Sequence, residues 1–141
     1  MIANDRQYQQ TRKRIADLER LLAAVNEGTA GDEGFRDLQA DALSSQLDDL
    51  RVELAEYDEL RSGAATTFES PTLSGLADAL IKARIARGWT QADLADALGV
   101  AEQQIQRYES SRYAGASLAR LGDVASALKV AVSETVVLLA S

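Results

Sequence analysis

The chain has 141 residues and a formal net charge of −7, with 15 Lys and Arg against 22 Asp and Glu, and it contains no cysteine and no histidine. The two missing residue types exclude disulfides, thiolate chemistry, most zinc sites and every histidine-based acid–base mechanism. We therefore expect no enzyme: no catalytic residues, no metal ligands and no cofactor. No apolar run reaches the roughly 18 residues of a membrane span, and Met1 to Gln10 is too polar for a signal peptide. These features predict a cytoplasmic protein without a membrane partner.

A single proline and abundant Ala, Leu, Glu and Gln favour an all-α fold. The first helix is predicted from apolar residues in steps of seven, three, four and three: Tyr8, Ile15, Leu18, Leu22 and Val25. The stretch from Asn26 to Gly34 contains three glycines and is typical of a loop. A second seam follows at Leu43, Leu47, Leu50, Leu54 and Tyr57, and Phe35 and Leu38 are expected to extend or close it. Two such helices predict an antiparallel, coiled-coil-like hairpin over residues 1–62.

The excess acidity lies in the N-terminal half. Residues 1–70 hold 8 Lys and Arg against 15 Asp and Glu, whereas residues 71–141 hold 7 of each. A two-helix hairpin has little core, so it is expected to pack on a second copy, on the C-terminal domain or on another protein. Its acidic faces are either solvated helix faces or a surface that binds a basic partner or mimics nucleic acid.

A domain boundary is predicted in the stretch from Ser62 to Thr72, which contains Gly63 and Pro71. We assign residues 63–72 to a linker and residues 73–141 to a second domain. Thr90 and Asp93 form a capping-box pattern at the start of one of its helices. Five helices are predicted in this domain: Leu73 to Gly88, Gln91 to Leu98, Ala101 to Tyr108, Ser117 to Val130, and a short one from Ser133.

The stretch TQADLADALGVAEQQIQRYE contains a small residue, Ala95, inside its first helix and a turn glycine, Gly99, just after that helix. With these residues at the fifth and ninth positions of the motif, the second domain resembles the helix-turn-helix domains of the Cro/C1 type (the XRE family, with a lambda-repressor-like fold), from about Leu73 to Ala140. The apolar positions of the motif are also filled, by Leu94, Leu98, Val100, Ile105 and Tyr108. Arg84 and Glu109 are similar to the family's structural ion pair.

The resemblance implies that residues 101–108 form a recognition helix that enters the major groove. The residues that it places at DNA are Gln91, Ala101, Glu102, Gln103, Gln106, Arg107 and Arg112. In this interpretation Gln91 and Arg112 contact phosphates, and the others read bases or the backbone. Glu102 departs from what a phosphate-lined groove favours, because its carboxylate repels the backbone unless cytosine or Arg107 satisfies it.

The function expected from these features is a sequence-specific DNA-binding repressor that binds a palindromic operator in double-stranded DNA as a homodimer. We expect it to be the antitoxin of a type II toxin–antitoxin operon, which binds its toxin through the hairpin and represses its own promoter. The first alternative is a stand-alone or phage-type dimeric repressor whose hairpin serves oligomerisation. The second is an adaptor that does not bind DNA. The apolar stretch Val136 to Ala140 is expected to be dimer surface or ordinary core.

Overall fold

A computed structural model describes residues 1–28 and 31–141. Six helices and no strand are found in this described part of the chain, which confirms the all-α fold. The helices are α1 (Asp5–Glu27), α2 (Glu33–Arg61), α3 (Gly75–Ala86), α4 (Gln91–Leu98), α5 (Glu102–Ser110) and α6 (Leu118–Leu128). The chain divides into two compact units, Met1–Ala64 and Ala65–Ser141.

The first unit is a hairpin in which α1 packs along α2. Leu18 of α1 and Leu47 of α2 are completely buried, and Tyr57 is nearly so. The remaining seam residues are only partly covered, because two helices alone can bury no more than one narrow line of side chains between them. Of the loop expected over residues 26–34, Thr29 and Ala30 lie outside the described residues, and the helices take up both of its ends.

One feature of the hairpin differs from the sequence interpretation. Phe35 and Leu38 do not extend the seam, since their side chains are 57% and 66% exposed. They lie off the seam because Leu38 is in heptad register with Val52, which is also exposed, rather than with Leu47. Upstream, α1 begins at Asp5 and is capped by Asn4, whose side chain accepts a 2.8 Å hydrogen bond from the Gln7 amide.

An aromatic cluster joins the beginning of α1 to the end of α2. The rings of Tyr8 and Tyr57 lie 5.4 Å apart, and the Tyr8 hydroxyl donates to Asp58. The Arg61 guanidinium lies over both rings, 4.5 Å and 4.9 Å from their centroids. Cation–π contacts and ring pairing therefore hold together the two ends of the helices opposite the loop.

The second unit encloses its core with four helices. Helix α4 packs against α5 and α6, and α3 packs against α6. The apolar side chains of this core include Leu80, Ile81, Leu94, Ile105, Val124 and Leu128, each at most 2% exposed. The apolar positions of the motif thus supply much of the packing that orients α5.

The prediction of a fifth helix from Ser133 is wrong, because residues 130–141 contain no helix. The side chains from Val136 to Leu139 are 69–97% exposed, so no apolar face is buried in return for ordering this segment. Helices this short are marginal without such packing, and consecutive β-branched valines disfavour them further. Separately, none of the helices in the described ranges has an apolar stretch long enough to cross a membrane.

Candidate nucleic-acid interface

Helix α4 begins with a complete capping box. The Thr90 hydroxyl accepts from the Asp93 amide at 3.1 Å, and the Asp93 carboxylate accepts from the Thr90 amide at 2.8 Å. Hydrogen bonds to this carboxylate, from the Thr90 backbone amide first and from the Thr90 side chain second, lower the pKa of Asp93. The start of α4 is therefore well defined. Its first turn, like that of any helix, also has backbone N–H groups without a helical acceptor.

The turn between α4 and α5 depends on Gly99. Its backbone is left-handed, with φ 69° and ψ 32°, and the amides of Gly99 and Val100 bond back to carbonyls of α4. A Cβ at this position would meet nothing within 4 Å, so only the backbone conformation favours glycine here. Ala95 is 2% exposed beneath the adjoining helix, as a small residue at a close helix crossing should be.

Helix α5 has two distinct faces. Ile105 and Glu109 are buried on the inner face. The outer face is exposed and consists of polar residues: Glu102, Gln103, Gln106, Arg107 and Ser110. Ala101 is the N-cap and its side chain makes no capping bond. The Gln104 amide bonds to the Ala101 carbonyl at 2.9 Å, whereas the amides of Glu102 and Gln103 at the tip of α5 have no helical acceptor. An exposed polar helix face with an open N-terminus is the geometry that a major groove accepts.

A buried charge network anchors the other end of α5. The guanidinium of Arg84 donates two 2.7 Å hydrogen bonds to the two oxygens of Glu109, and both side chains are 2% exposed. A third donor of Arg84 reaches the Trp89 carbonyl at 2.7 Å. Because both charges are out of water, the pair is stable only while every partner stays in place.

Gln91 belongs to this network. Its side chain is buried, and its amide nitrogen donates to Glu109 at 3.0 Å. The side-chain amide that the sequence assigned to a phosphate thus supports the ion pair in this structure. Sequence reasoning missed this contact because Gln91 and Glu109 lie 18 positions apart and meet only when α4 and α5 cross.

Arg112 follows α5 in an unusual backbone conformation. Arg112 and Tyr113 both have positive φ, 52° and 56°, without being glycines. The Tyr113 amide bonds to the Tyr108 carbonyl at 2.6 Å, and the two rings stack with centroids 5.4 Å apart. Arg112 is exposed and pairs with Asp78 of α3 at 3.3 Å. No glycine marks this left-handed turn, so the sequence carried no signal for it.

The seven residues predicted to contact DNA do not all lie on one surface. Ala101, Glu102, Gln103, Gln106 and Arg107 are brought together on one exposed face, whereas Gln91 is buried and Arg112 is held by α3. In the described part of the chain, no group of three or more His, Cys, Asp or Glu side chains is placed to hold a metal ion.

Comparison with known proteins supports the same region. Residues 80–134 match a family model described as helix-turn-helix. Neither the search of curated proteins nor that of solved structures finds a match to this chain. The matched segment runs from within α3 past the end of α6 and includes both helices of the motif. It supports a DNA-binding transcription regulator whose helix-turn-helix domain lies in the second unit.

Proposed function

We propose that this protein is a sequence-specific repressor that inserts α5 into the major groove of double-stranded DNA. The observation that carries the proposal is the exposed polar face of α5, held rigidly by the buried Arg84–Glu109 pair on its opposite side. A helix that reads base edges in DNA needs a fixed orientation, because hydrogen bonds to those edges tolerate only small displacements.

Each side chain on that face has a preferred target. Gln103 suits the paired donor and acceptor of adenine, and Arg107 suits guanine or a phosphate. Ala101 suits a thymine methyl group, and Glu102 accepts a hydrogen bond from the amino group of cytosine. Gln106 completes the face and contacts a neighbouring base or sugar. Glu102 lowers affinity for any sequence that does not place a cytosine opposite it.

The phosphate contacts proposed from the sequence are revised in their details. With the Gln91 side chain directed at Glu109, the backbone amides in the first turn of α4 become the phosphate donors. Arg112 contacts DNA by exchanging Asp78 for a phosphate. This exchange is inexpensive because exposed ion pairs are worth about 0–1 kcal/mol.

We propose that the repressor binds as a homodimer on a palindrome. Residues 71–141 carry 7 positive and 7 negative residues, so one domain has little general attraction for DNA. Two domains on half-sites one helical turn apart combine their contacts. The exposed apolar side chains from Val136 to Leu139 supply a surface that a second copy can cover.

The acidic hairpin supports a proposal about the class of regulator. We propose that the protein is an antitoxin, which represses its own operon and neutralises a basic toxin through the hairpin. The acidity of α2, with nine Asp and Glu against three Arg, favours a basic partner. Oligomerisation through the hairpin is the second candidate, favoured by the exposed apolar residues Leu21 and Val52.

The experiment is a fluorescence-anisotropy titration of the full chain with duplex DNA from upstream of its own coding region. Arg107→Ala should weaken specific binding by about 1–3 kcal/mol. Arg12→Ala, which removes one exposed charge from α1, is the matched control and should leave binding within about twofold, since each phosphate contact acts locally. Equal losses in the two variants, or no binding at low salt, would refute the proposal.

A further inference from the structure

Helix α2 carries a second apolar seam on the side away from α1. The first seam, which includes Leu47 and Tyr57, is covered by α1. The second runs in steps of three, four, three and seven through Phe35, Leu38, Ala42, Ser45 and Val52, all of them exposed. The large members, Phe35, Leu38 and Val52, are 57–66% exposed. We call these five residues the outer seam.

The outer seam has the shape of a helix-binding surface. Its large side chains are at the two ends, and the small residues Ala42 and Ser45 lie between them, followed by Asp49 in the same line. From Phe35 to Val52 the seam is about 26 Å long, or nearly five helical turns, at 1.5 Å per residue. Small residues in the middle let a second helix approach closely, and large residues at the ends supply anchors.

The charges around the seam have one sign because the arginines of α2 are engaged elsewhere. Arg36 donates to the Gly28 carbonyl, and Arg51 bonds to Glu19 of α1 at 2.9 Å. Arg61 lies over the tyrosine rings of the hairpin end. All three cations of α2 thus contact α1 or Gly28, which follows α1. Arg51 and Arg61 also reach carboxylates of α2, Asp48 at 3.8 Å and Asp58 at 2.9 Å.

Carboxylates follow the outer seam in the same register. Asp49 and Glu56 lie seven residues apart within its line, and Asp41 and Asp48 lie seven apart beside it. Asp41, Asp49 and Glu56 are exposed and make no ion pair in the described part of the chain. An apolar line that has carboxylates within it and beside it is complementary to a helix whose apolar line has Lys and Arg at matching positions.

We propose that the outer seam of α2 binds a basic amphipathic α-helix of a partner protein. This inference rests on the proposed role of the hairpin in partner binding, and it names the surface and the chemistry of the partner. The partner helix has about 18 residues, to match the length of the seam, with apolar side chains every three or four positions.

A second copy of this chain fits the seam less well. Two outer seams placed face to face would bring their carboxylates together, which disfavours the pairing. The exposed heptad row Arg6, Lys13 and Arg20 on α1 could meet the seam of another molecule, but only head to tail. In such a contact α1 of each molecule fills the seam of the next. One seam always stays open at the end of the assembly, so open chains form rather than a closed dimer.

The test uses the full chain and a synthetic basic probe. The probe is a helical peptide of about 18 residues with leucines at a and d and lysines beside them, and its twin has glutamates in place of the lysines. We expect the basic peptide to bind and the acidic twin not to bind. In NMR spectra of the isotope-labelled protein, the backbone amide signals that shift on addition of the basic peptide should belong to the outer seam and its neighbours on α2.

Matched variants decide whether the seam is responsible. Leu38→Ser with Val52→Ser should weaken peptide binding by more than about tenfold, since buried apolar anchors dominate such interfaces. Leu21→Ser alters an exposed leucine of α1, outside the seam, and should leave binding within about twofold. Circular dichroism of each variant verifies that the helices persist.

Three results would overturn the inference. They are no binding of the basic peptide, equal binding by the Leu38→Ser/Val52→Ser protein, and self-association that those two substitutions abolish without any peptide binding. The unmodified chain and the variants are also titrated with duplex DNA from upstream of the coding region, and the variants should bind it as the unmodified chain does. Failure of the unmodified chain to bind this DNA while it still binds the basic peptide refutes the repressor proposal and leaves the seam assignment standing, so the two failures are distinguishable.

Discussion

At the scale of single residues, Arg84 and Glu109 determine whether α5 is presented correctly. Their two 2.7 Å hydrogen bonds, with the contacts to Trp89 and Gln91, place a complete charge network in the core. The pairing of these residues could be expected from the resemblance of the domain to the Cro/C1-type family. The participation of Gln91 could not, because it depends on how closely two helices cross.

Removing one partner of the Arg84–Glu109 pair should lower the free energy of unfolding far more than removing both. Glu109→Ala leaves the Arg84 guanidinium buried without its carboxylate, and we expect a loss of about 3–5 kcal/mol in the free energy of unfolding. Arg84→Met with Glu109→Leu should lose less than Glu109→Ala alone, since neither charge then remains buried. Urea unfolding followed by the fluorescence of Trp89, the single tryptophan, reports on this unit.

A partly exposed pair is the control for this measurement. Arg120 and Asp123 lie 3.8 Å apart with side chains 30% and 61% exposed, so both reach water, and Arg120→Ala should cost less than about 1 kcal/mol. If Glu109→Ala were as mild as Arg120→Ala, the network would not be what orients α5.

Tyr113 predicts a pH dependence of stability. Burial, and after it the Glu109 carboxylate, raise the pKa of its hydroxyl above the ordinary 10.0. Above pH 10.0 the unfolded chain therefore releases this proton while the folded chain retains it, so stability falls as pH rises through that range. Below that pH both states hold the proton, and Tyr113 adds no pH dependence.

Thermal unfolding of the unmodified protein and of Tyr113→Phe at pH 9 and pH 11 measures this effect. The decrease in Tm between the two pH values should be smaller for Tyr113→Phe, because phenylalanine has no proton to lose. The other three tyrosines are common to both proteins and cancel in the comparison. Identical decreases would show that Tyr113 is not the group responsible.

At the scale of elements, the sequence predicted most helices because their signals are local. The capping box of Thr90 and Asp93 and the left-handed turn at Gly99 both depend on residues within a few positions. The outer placement of Phe35 and Leu38 and the missing helix after Ser133 depend instead on which faces find partners. Periodicity marks an apolar line, but only packing decides whether that line is covered.

Two glycines allow the same substitution to be tested with opposite expected signs. Gly99 has φ 69°, so Gly99→Ala should destabilise by about 1–2 kcal/mol through backbone strain alone. Gly122 lies within α6 with open space at its Cβ, so Gly122→Ala should stabilise by about 0.5–1 kcal/mol. Chemical denaturation of both variants provides the comparison, and stabilisation by Gly99→Ala would contradict the assigned turn.

At the scale of the whole molecule, the division of charge resolves an apparent conflict. A chain of net charge −7 is a poor ligand for DNA if its charge is uniform, but residues 71–141 contribute none of that excess. The carboxylates concentrate in α2, which has nine, rather than in α5, which has two. This division of charge is what the proposed roles need, a neutral domain for DNA and an acidic helix for a protein partner.

The most direct test of this account is to titrate the full, isotope-labelled chain with duplex DNA from upstream of its own coding region and follow the backbone amides. The account predicts that signals from residues 101–107 change at the lowest DNA ratios, with those of the first turn of α4, while residues 33–61 of α2 stay unchanged. Changes confined to the hairpin, or α5 signals that do not respond to DNA, would contradict it.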